Sequence, residues 1–289
     1  MRSNVAIVGA GPGGMATALQ LKRFGEDFLL FEGEEVGGLL RNAWRVENYL
    51  GFSGISGRAL VRAFKEHIEH YGVDIIMEWV SMLDYRQDED DFILLTRNGE
   101  YFADVVVIAS GTKPRSLNIV NNLPSHLRDK VYYGICPLLN LEGKRILVIG
   151  AGDAGFDYAM SLAEKNEVIV VNRGREIKAL KALRDKVLHH PRIRYVQGLE
   201  LIGIEEGGLG LCVDFGREVF DVHCLVLAIG RVPNKDFYSE RLMDMERDLV
   251  NREKLFLVGD VRGGGYRQCA MAVGDGIRCA MQIHYGRMG

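Results

Sequence analysis

The sequence predicts an α/β protein with two Rossmann-like domains, each containing a parallel sheet and an antiparallel β insertion. The main evidence is an internal repeat, in which a buried strand, a glycine-rich turn and a helix occur twice with an offset of 141 residues. The first copy begins at residues 5–14 (VAIVGAGPGG) and the second at 146–155 (ILVIGAGDAG). Each copy also contains a stretch of alternating apolar and polar residues, at about 75–102 and 194–220, which predicts antiparallel strands.

The order of elements is the same in the two copies. After each turn the pattern predicts a helix, a second strand and a buried terminal strand, at about 15–23, 28–32 and 105–111 in the first copy and 156–164, 168–172 and 225–230 in the second. A further buried strand at 255–258 and a helix at about 268–285 follow the second copy. One domain should therefore be discontinuous, and we expect it to comprise residues 1–112 and 236–289, with the other domain at 113–235.

The composition is that of an ordinary soluble protein, with 47% apolar and 26% charged residues. The net charge of −3 gives no electrostatic case for binding nucleic acid or an anionic membrane, and no window approaches the roughly 18 apolar residues of a membrane helix. Five cysteines without CxxC spacing argue against a secreted disulfide framework and favour a cytoplasmic protein. The seven histidines form no metal-binding pattern.

The first glycine-rich turn has the GxGxxG spacing, at Gly9, Gly11 and Gly14. In such a turn the first glycine permits the tight bend, the second lets the backbone approach a pyrophosphate, and the third packs the helix close to the strand. Glu32 stands 18 residues after Gly14, at the end of the next strand. A carboxylate there accepts hydrogen bonds from a ribose diol and repels a 2′-phosphate, which predicts FAD or NAD.

The second turn has the same spacing, at Gly150, Gly152 and Gly155, but the residue 18 positions later is Arg173. An arginine there suits a 2′-phosphate through charge-assisted hydrogen bonds, and Lys178 adds a second cation. We therefore expect NADPH in this domain, with NADH and a degenerate, empty site as the alternatives. The same cations are also compatible with a plain solvated helix face.

Further segments resemble a known family, and they occur in that family's order. The segments are EGEEVGGLL (32–40), VENYLGFSGISG (46–57), ASG (109–111), AIGRVPN (228–234) and GDVR with YRQCA (259–270). Together with the two turns they are similar to the low-molecular-weight thioredoxin reductases and to their relatives, the ferredoxin/flavodoxin–NADP reductases. The resemblance covers nearly the whole chain.

This resemblance implies that the first domain binds FAD, that the second binds NAD(P)H, and that the protein is a homodimer. Asp260 would hydrogen-bond the ribityl chain of FAD. The isoalloxazine ring would lie against Asn48, Gln268 and the backbone of Cys269. The other FAD contacts implied lie in the segment over the flavin and at the crossing between the domains: Gly38, Leu39 and Gly111.

In the second domain the resemblance places Gly152 and Gly155 against the pyrophosphate of NAD(P)H. Arg173 and Lys178 fall where the family has cations for the 2′-phosphate. Gly174 stands where the family usually has another arginine, which weakens the preference for NADPH.

The chain departs from the family at the dithiol that passes electrons from flavin to thioredoxin. An ungapped match places the two cysteines at Tyr133 and Cys136, and the acidic residue that follows them at Pro137. A dithiol relay cannot operate with one thiol. Cys136 is either a vestige packed near the flavin, a single redox-active thiol, or one member of a pair with Cys269.

These observations predict a FAD-dependent NAD(P)H oxidoreductase whose electron acceptor is a small acidic redox protein such as ferredoxin or flavodoxin. A run of cations could bind that partner: Arg173, Arg175, Lys178, Lys181, Arg184 and Lys186. One alternative is a disulfide or peroxide reductase that uses Cys136. The other is a flavin-binding sensor or scaffold with a degenerate nicotinamide site.

Overall fold

The structure is a computed structural model that describes residues 1–286, so residues 287–289 of the predicted discontinuous domain lie outside it. The strands, in chain order, are β1 (Arg2–Val8), β2 (Phe28–Phe31), β3 (Met82–Arg86), β4 (Asp91–Leu95), β5 (Glu100–Ile108), β6 (Thr112–Pro114), β7 (Val131–Tyr132), β8 (Arg145–Ile149), β9 (Glu167–Asn172), β10 (Ile193–Gln197), β11 (Gly203–Glu205), β12 (Leu211–Asp214), β13 (Val219–Val222), β14 (Cys224–Leu227), β15 (Arg231–Pro233) and β16 (Leu255–Leu257). The helices are α1 (Pro12–Phe24), α2 (Gly57–His70), α3 (Asn118–Asn121), α4 (Ser125–Arg128), α5 (Asp153–Ala163), α6 (Lys181–Leu188), α7 (Glu240–Asn251) and α8 (Cys269–Gly286). Short 3-10 turns lie at Gly38–Asn42, Cys136–Leu138 and Gly259–Arg262.

The chain divides into two compact units. The first comprises Met1–Arg41, Glu47–Lys113 and the described chain from Val232 onward, and the second comprises Asn42–Val46 and Pro114–Arg231. The chain passes from one unit to the other through β6 and β15, which pair with each other. The short segment Asn42–Val46 belongs to the second unit, whereas the sequence predicted it in the first. The reason is that Asn42 and Trp44 form hydrogen bonds with residues of the second unit that are far away in the chain.

The sheet of the first unit has the order β2-β1-β5-β4-β3, with β16 also paired to β5. Strands β2, β1, β5 and β16 are parallel, whereas β3 and β4 form the antiparallel insertion. The start of β5 pairs with β4 through Ala103, and its end pairs with β16 from Val106 onward. The C-terminal strand therefore completes the sheet of the first unit, as a discontinuous fold requires.

The core of the first unit lies on both faces of this sheet. Ala6 and Ile7, whose side chains point to opposite faces of β1, are both fully buried and belong to different core clusters, as expected for a central strand covered on both faces. Helices α1 and α8 cover one face of the sheet. They approach each other so closely that a Cβ on Gly276 would lie 2.3 Å from the carbonyl oxygen of Gly13. Close backbone contact of these helices holds α1 in place behind the first glycine-rich turn.

The sheet of the second unit has the order β10-β9-β8-β14-β7 and is parallel throughout. Strands β11, β12 and β13 form a separate antiparallel sheet. The predicted fold class, two Rossmann-like units each with a parallel sheet and an antiparallel insertion, is confirmed.

Two details of the predicted insertions were wrong. The stretch 194–220 includes β10, which pairs in parallel with β9, so the antiparallel part begins only at β11. In the stretch 75–102, Ile76 forms a parallel bridge with Phe31, and the antiparallel part begins at β3. An edge strand buried on one face alternates in polarity whichever direction it runs, so the alternation did not distinguish the two pairings.

Within residues 1–286, no helix is both long enough and apolar enough to cross a membrane. The same part of the chain contains no cluster of three or more His, Cys, Asp or Glu side chains arranged to hold a metal ion.

Candidate functional site

The parallel strands of the first unit end level with one another. Val8 pairs with both Phe31 and Ile108, and Ile108 pairs with Leu257. The carboxyl edge of such a sheet is where open α/β folds bind ligands. This edge contains the predicted cofactor-binding residues that come directly after the strands: Gly9, Gly11, Gly14, Glu32, Gly111 and Asp260.

The glycine-rich turn of the first unit shows why each glycine is present. The N–H of Gly9 donates to the carbonyl of Phe31 (2.8 Å), which ties the turn to β2. A Cβ on Gly9 would lie 2.5 Å from the carbonyl oxygen of Ala109, and one on Gly14 would lie 1.9 Å from that of Gly9. Gly11, in contrast, faces open space. The fold needs Gly9 and Gly14, whereas the bare face of Gly11 leaves room for a ligand at the N-terminus of α1.

The turn of the second unit has the same geometry. The N–H of Gly150 donates to the carbonyl of Val171 (2.9 Å). A Cβ on Gly150 would lie 2.3 Å from the carbonyl oxygen of Ala228, one on Gly155 would lie 2.0 Å from that of Gly150, and Gly152 faces open space. The repeat seen in the sequence is therefore also a repeat of backbone contacts, and each unit has room for a pyrophosphate at a helix N-terminus.

Glu32 is held at the end of β2 by two backbone donors. Its Oε2 accepts the N–H of Ala10 (2.9 Å), and its Oε1 accepts that of Glu34 (3.0 Å). Each carboxylate oxygen can accept more than one hydrogen bond. The carboxylate is thus oriented beside the glycine-rich turn with capacity left for a ribose diol.

In the second unit, Arg173 follows β9 at the position that Glu32 has after β2. Its side chain is 80% exposed, and its guanidinium lies 3.8 Å from the carboxylate of Glu200. The backbone N–H of Lys178 donates to the carbonyl of Ala151 (3.3 Å), which holds the loop after β9 against the glycine-rich turn. An exposed ion pair of this length is weak, so an incoming phosphate can displace Glu200 from Arg173.

Residues predicted to face the flavin ring meet at the N-terminus of α8. The amide Nδ2 of Asn48 donates to Oε1 of Gln268 (2.8 Å), although the two residues are far apart in sequence. Burial, together with the negative charge of Asp260, raises the pKa of the Cys269 thiol to about 12. Cys269 is therefore protonated at neutral pH and is a poor nucleophile.

The segment predicted to cover the flavin also lies against the glycine-rich turn. The N–H of Gly37 donates to the carbonyl of Ala10 (2.9 Å). Gly38 and Leu39 begin the following 3-10 turn, and a Cβ on Gly38 would lie 3.5 Å from the Cα of Gly11. The first unit thus brings all the residues predicted for FAD to the carboxyl edge of its sheet or to elements packed beside it.

Cys136 lies in the second unit, at the start of a 3-10 turn, and is half-buried. Its backbone N–H and that of Ile135 donate to the side-chain oxygen of Asn42, at 3.1 Å and 2.8 Å. Burial raises the pKa of Tyr133, which occupies the position of the missing first thiol. All five cysteines are free thiols in the structure, and Cys136 lies in the second unit whereas Cys269 lies in the first.

Sequence reasoning missed the role of the segment Asn42–Val46. The backbone N–H of Trp44 donates to Asp157 of α5 (2.8 Å), and its indole N–H donates to Glu164 (2.9 Å). Asn42 itself is only 8% exposed. Burial raises the pKa of Asp157 to about 6, although the backbone N–H groups of Trp44 and Arg45 oppose that shift. No local pattern announces these contacts, because each partner lies more than 90 residues away.

Comparison with known proteins agrees with this architecture. A family model described as Pyridine nucleotide-disulphide oxidoreductase matches residues 3–276. Thioredoxin reductase of Rickettsia prowazekii is 27% identical, over 97% of this chain and 97% of that protein. A 34.2 kDa protein in the rubredoxin operon of Clostridium pasteurianum is 26% identical, over 96% and 95%. The crystal structure of Lactococcus lactis thioredoxin reductase (FR conformation) superposes with a TM-score of 0.84 at 25% identity, over 98% of each chain.

The chain therefore belongs to the pyridine nucleotide-disulphide oxidoreductase family. Within that family it is a low-molecular-weight thioredoxin reductase-like flavoprotein, as the order of its motifs predicted.

The glycine contacts predict a contrast between matched substitutions. Gly14→Ala and Gly155→Ala place a Cβ against a backbone carbonyl and should lower the free energy of unfolding by about 2 kcal/mol or more. Gly11→Ala and Gly152→Ala meet open space and should change it by less than about 0.5 kcal/mol. Urea unfolding of the cofactor-free protein measures both pairs. Equal losses for the two pairs would contradict the geometry.

The raised pKa of Asp157 predicts a pH dependence of stability. Between the ordinary carboxyl pKa of 3.8 and the folded value of about 6, the native state binds more protons than the unfolded state, so stability falls as the pH rises through this window. Asp157→Asn should therefore be more stable than the wild type at pH 8, by on the order of 2 kcal/mol, and the difference should disappear only as the pH falls below the ordinary value of 3.8. Unfolding curves across this range measure the difference. A difference that stays constant at all pH values would rule out titration of Asp157.

Proposed function

We propose that the protein is a FAD-dependent NADPH oxidoreductase that delivers electrons to a small acidic redox protein such as ferredoxin or flavodoxin. The observation that carries the proposal is the pair of matching glycine-rich turns with opposite side chains at the ribose position, Glu32 in the first unit and Arg173 in the second. Matching turns support two dinucleotides, and opposite charges support two different adenosines.

Binding of FAD by the first unit is supported by the fit of its residues to the parts of that cofactor. The open face of Gly11 at the N-terminus of α1 suits the pyrophosphate, and the oriented carboxylate of Glu32 suits the ribose diol. Asp260 stands just beyond β16, where it can accept a hydrogen bond from the ribityl chain. Asn48 and Gln268, already joined by a hydrogen bond, offer amide groups to the polar edge of the ring.

Binding of NADPH by the second unit is supported by charge. Arg173 and Lys178 are exposed cations on one loop, and the backbone bond from Lys178 to Ala151 keeps that loop beside the glycine-rich turn. Arginine binds phosphate through two parallel hydrogen bonds, whereas a ribose diol would gain little from it. With Gly174 in place of a further arginine, these two side chains carry the discrimination between NADPH and NADH.

When bound, the flavin supplies the chemistry that accepts a hydride from the nicotinamide and passes electrons on. The side chains of this protein orient the two cofactors and set their surroundings. The Cys269 thiol, with its raised pKa, places a neutral group at the N-terminus of α8. Without a second cysteine near Cys136 in the sequence, the electrons need an acceptor other than a dithiol of this chain.

An acidic acceptor is supported by the surface around α6. Lys181 and Lys186 are exposed, and Leu180 and Leu188, which flank them in the sequence, are 68% and 44% exposed. Basic and apolar side chains exposed together on one short helix suit a small acidic protein, because the charges steer the encounter and the apolar area stabilises the complex. The similarity to a protein named for a rubredoxin operon also favours a small redox protein as the partner.

The proposal predicts rapid reduction of the bound flavin by NADPH. In anaerobic stopped-flow experiments NADPH should bleach the flavin absorbance, with a dissociation constant about tenfold or more below that of NADH. The double variant Arg173→Ala/Lys178→Ala should lose this preference and keep its response to NADH, whereas Lys181→Ala should keep the preference. A preference for NADH in the wild type would contradict the role of Arg173. No reduction by either nucleotide would favour a flavin-binding sensor or scaffold.

Stopped-flow reduction and acceptor assays also distinguish the proposed function from that of an enzyme that uses Cys136 as a single redox-active thiol. Cys136→Ser should reduce its flavin at the wild-type rate and pass electrons to ferredoxin or flavodoxin unchanged. Loss of turnover with disulfide or peroxide acceptors, together with no turnover of ferredoxin or flavodoxin by the wild type, would instead assign the function to Cys136.

A further inference from the structure

An exposed tryptophan lies beside the predicted ribose-binding carboxylate of the first unit. Trp79 is 57% exposed, yet its indole lies on the backbone of Gly33. A Cβ on Gly33 would lie 2.4 Å from Cδ2 of the indole and 2.7 Å from both Cγ and Cε2. The position of that Cβ is nearest to Cδ2 and equally far from its two neighbours Cγ and Cε2, so it lies above the plane of the indole. One face of the ring therefore rests on Gly33.

The segment that carries Trp79 is anchored on both sides. The N–H of Ile76 donates to the carbonyl of Leu30 (2.7 Å), and the N–H of Glu32 donates to the carbonyl of Ile76 (3.0 Å). On the other side of Trp79, Val80 is only 5% exposed and belongs to the core of the first unit. The indole is therefore held at the end of β2 by its backbone, although much of its own surface contacts solvent.

Trp79 lies close to Glu32, the residue proposed to bind a ribose. Gly33 directly follows Glu32, whose carboxylate is oriented by Ala10 and Glu34. In a nucleotide the base is attached to the ribose carbon beside the diol. A base whose ribose is bound by the Glu32 carboxylate must therefore lie close to that carboxylate. The base of a nucleotide held by Glu32 therefore lies in the neighbourhood of Gly33 and of the ring that covers it.

We infer that the indole of Trp79 is the surface on which the adenine of FAD stacks. This inference rests on the proposed binding of FAD by the first unit. Stacking between a base and an aromatic side chain stabilises such complexes for any base, because every base has a π-face. Gly33 is required because any side chain there would push the indole away from β2 and from the ribose held by Glu32.

Fluorescence tests the contact directly. The chain contains two tryptophans, so Trp44→Phe leaves Trp79 as the single reporter. The probe is ADP, which carries the adenine, ribose and pyrophosphate of FAD and does not absorb tryptophan emission. Titration of ADP into the flavin-free full-length Trp44→Phe protein should quench and shift the emission of Trp79. Saturable binding of ADP that is displaced by FAD, measured by calorimetry, without any change in that emission would overturn the inference.

Binding constants give a second, independent test. Trp79→Ala should weaken the binding of both FAD and ADP by about tenfold or more, whereas Trp79→Phe should remain within about threefold of the wild type. Met77→Ala is the matched control, because Met77 is 55% exposed two residues away and should have no effect. Equal affinities for the wild type and Trp79→Ala would overturn the role of Trp79.

The outcomes separate this inference from the function it rests on. If the wild type binds FAD, seen from the flavin absorbance of the purified complex, and Trp79→Ala binds it equally well, only the inference fails. If the wild type binds no FAD, the proposed function fails as well. If Trp79→Ala does not fold, the fluorescence of Trp44→Phe and the affinity of Trp79→Phe still decide the question.

Discussion

The close approach of a glycine Cα to a carbonyl oxygen underlies both halves of this protein. In the first unit the backbone of Gly14 lies so close to the carbonyl of Gly9 that no Cβ fits, and in the second the same holds for Gly155 and Gly150. This contact brings the start of a helix against the end of a buried strand, which aims the helix N-terminus at the carboxyl edge of the sheet. The cofactor contacts proposed above depend on that arrangement.

Duplication of this contact leaves the two units free to differ at other positions. The carboxylate of Glu32 and the guanidinium of Arg173 follow equivalent strands and favour different adenosines. The first unit adds a C-terminal strand and helix, and these supply Asp260, Gln268 and Cys269 at the proposed flavin site. One backbone design would therefore serve two cofactors, and we propose that side chains outside the glycine-rich turns assign each unit its ligand.

The sequence predicted what depends on local pattern and on the repeat. The glycine spacing, the two sheets and the discontinuous first unit follow from buried runs and turns that can be counted along the chain. Two kinds of contact were not predictable from the sequence. They are the hydrogen bonds of Asn42 and Trp44 to the rest of the second unit, and the packing of Trp79 on Gly33. They join residues distant in sequence through side chains with no periodic pattern, so only the folded backbone brings them together. The direction of β10 was missed because an edge strand alternates in polarity in either orientation.

The central claim is that the two turns hold different dinucleotides, and hydrogen–deuterium exchange on the full chain tests it directly. Addition of FAD to the flavin-free protein should slow exchange of the amides at residues 9–15 and 32–34. Addition of NADP⁺ to the FAD-bound protein should then slow exchange at residues 150–156 and 173–178 and leave 9–15 unchanged. Protection of residues 9–15 by NADP⁺ in the flavin-free protein, with none at 150–156 in either form, would contradict the account.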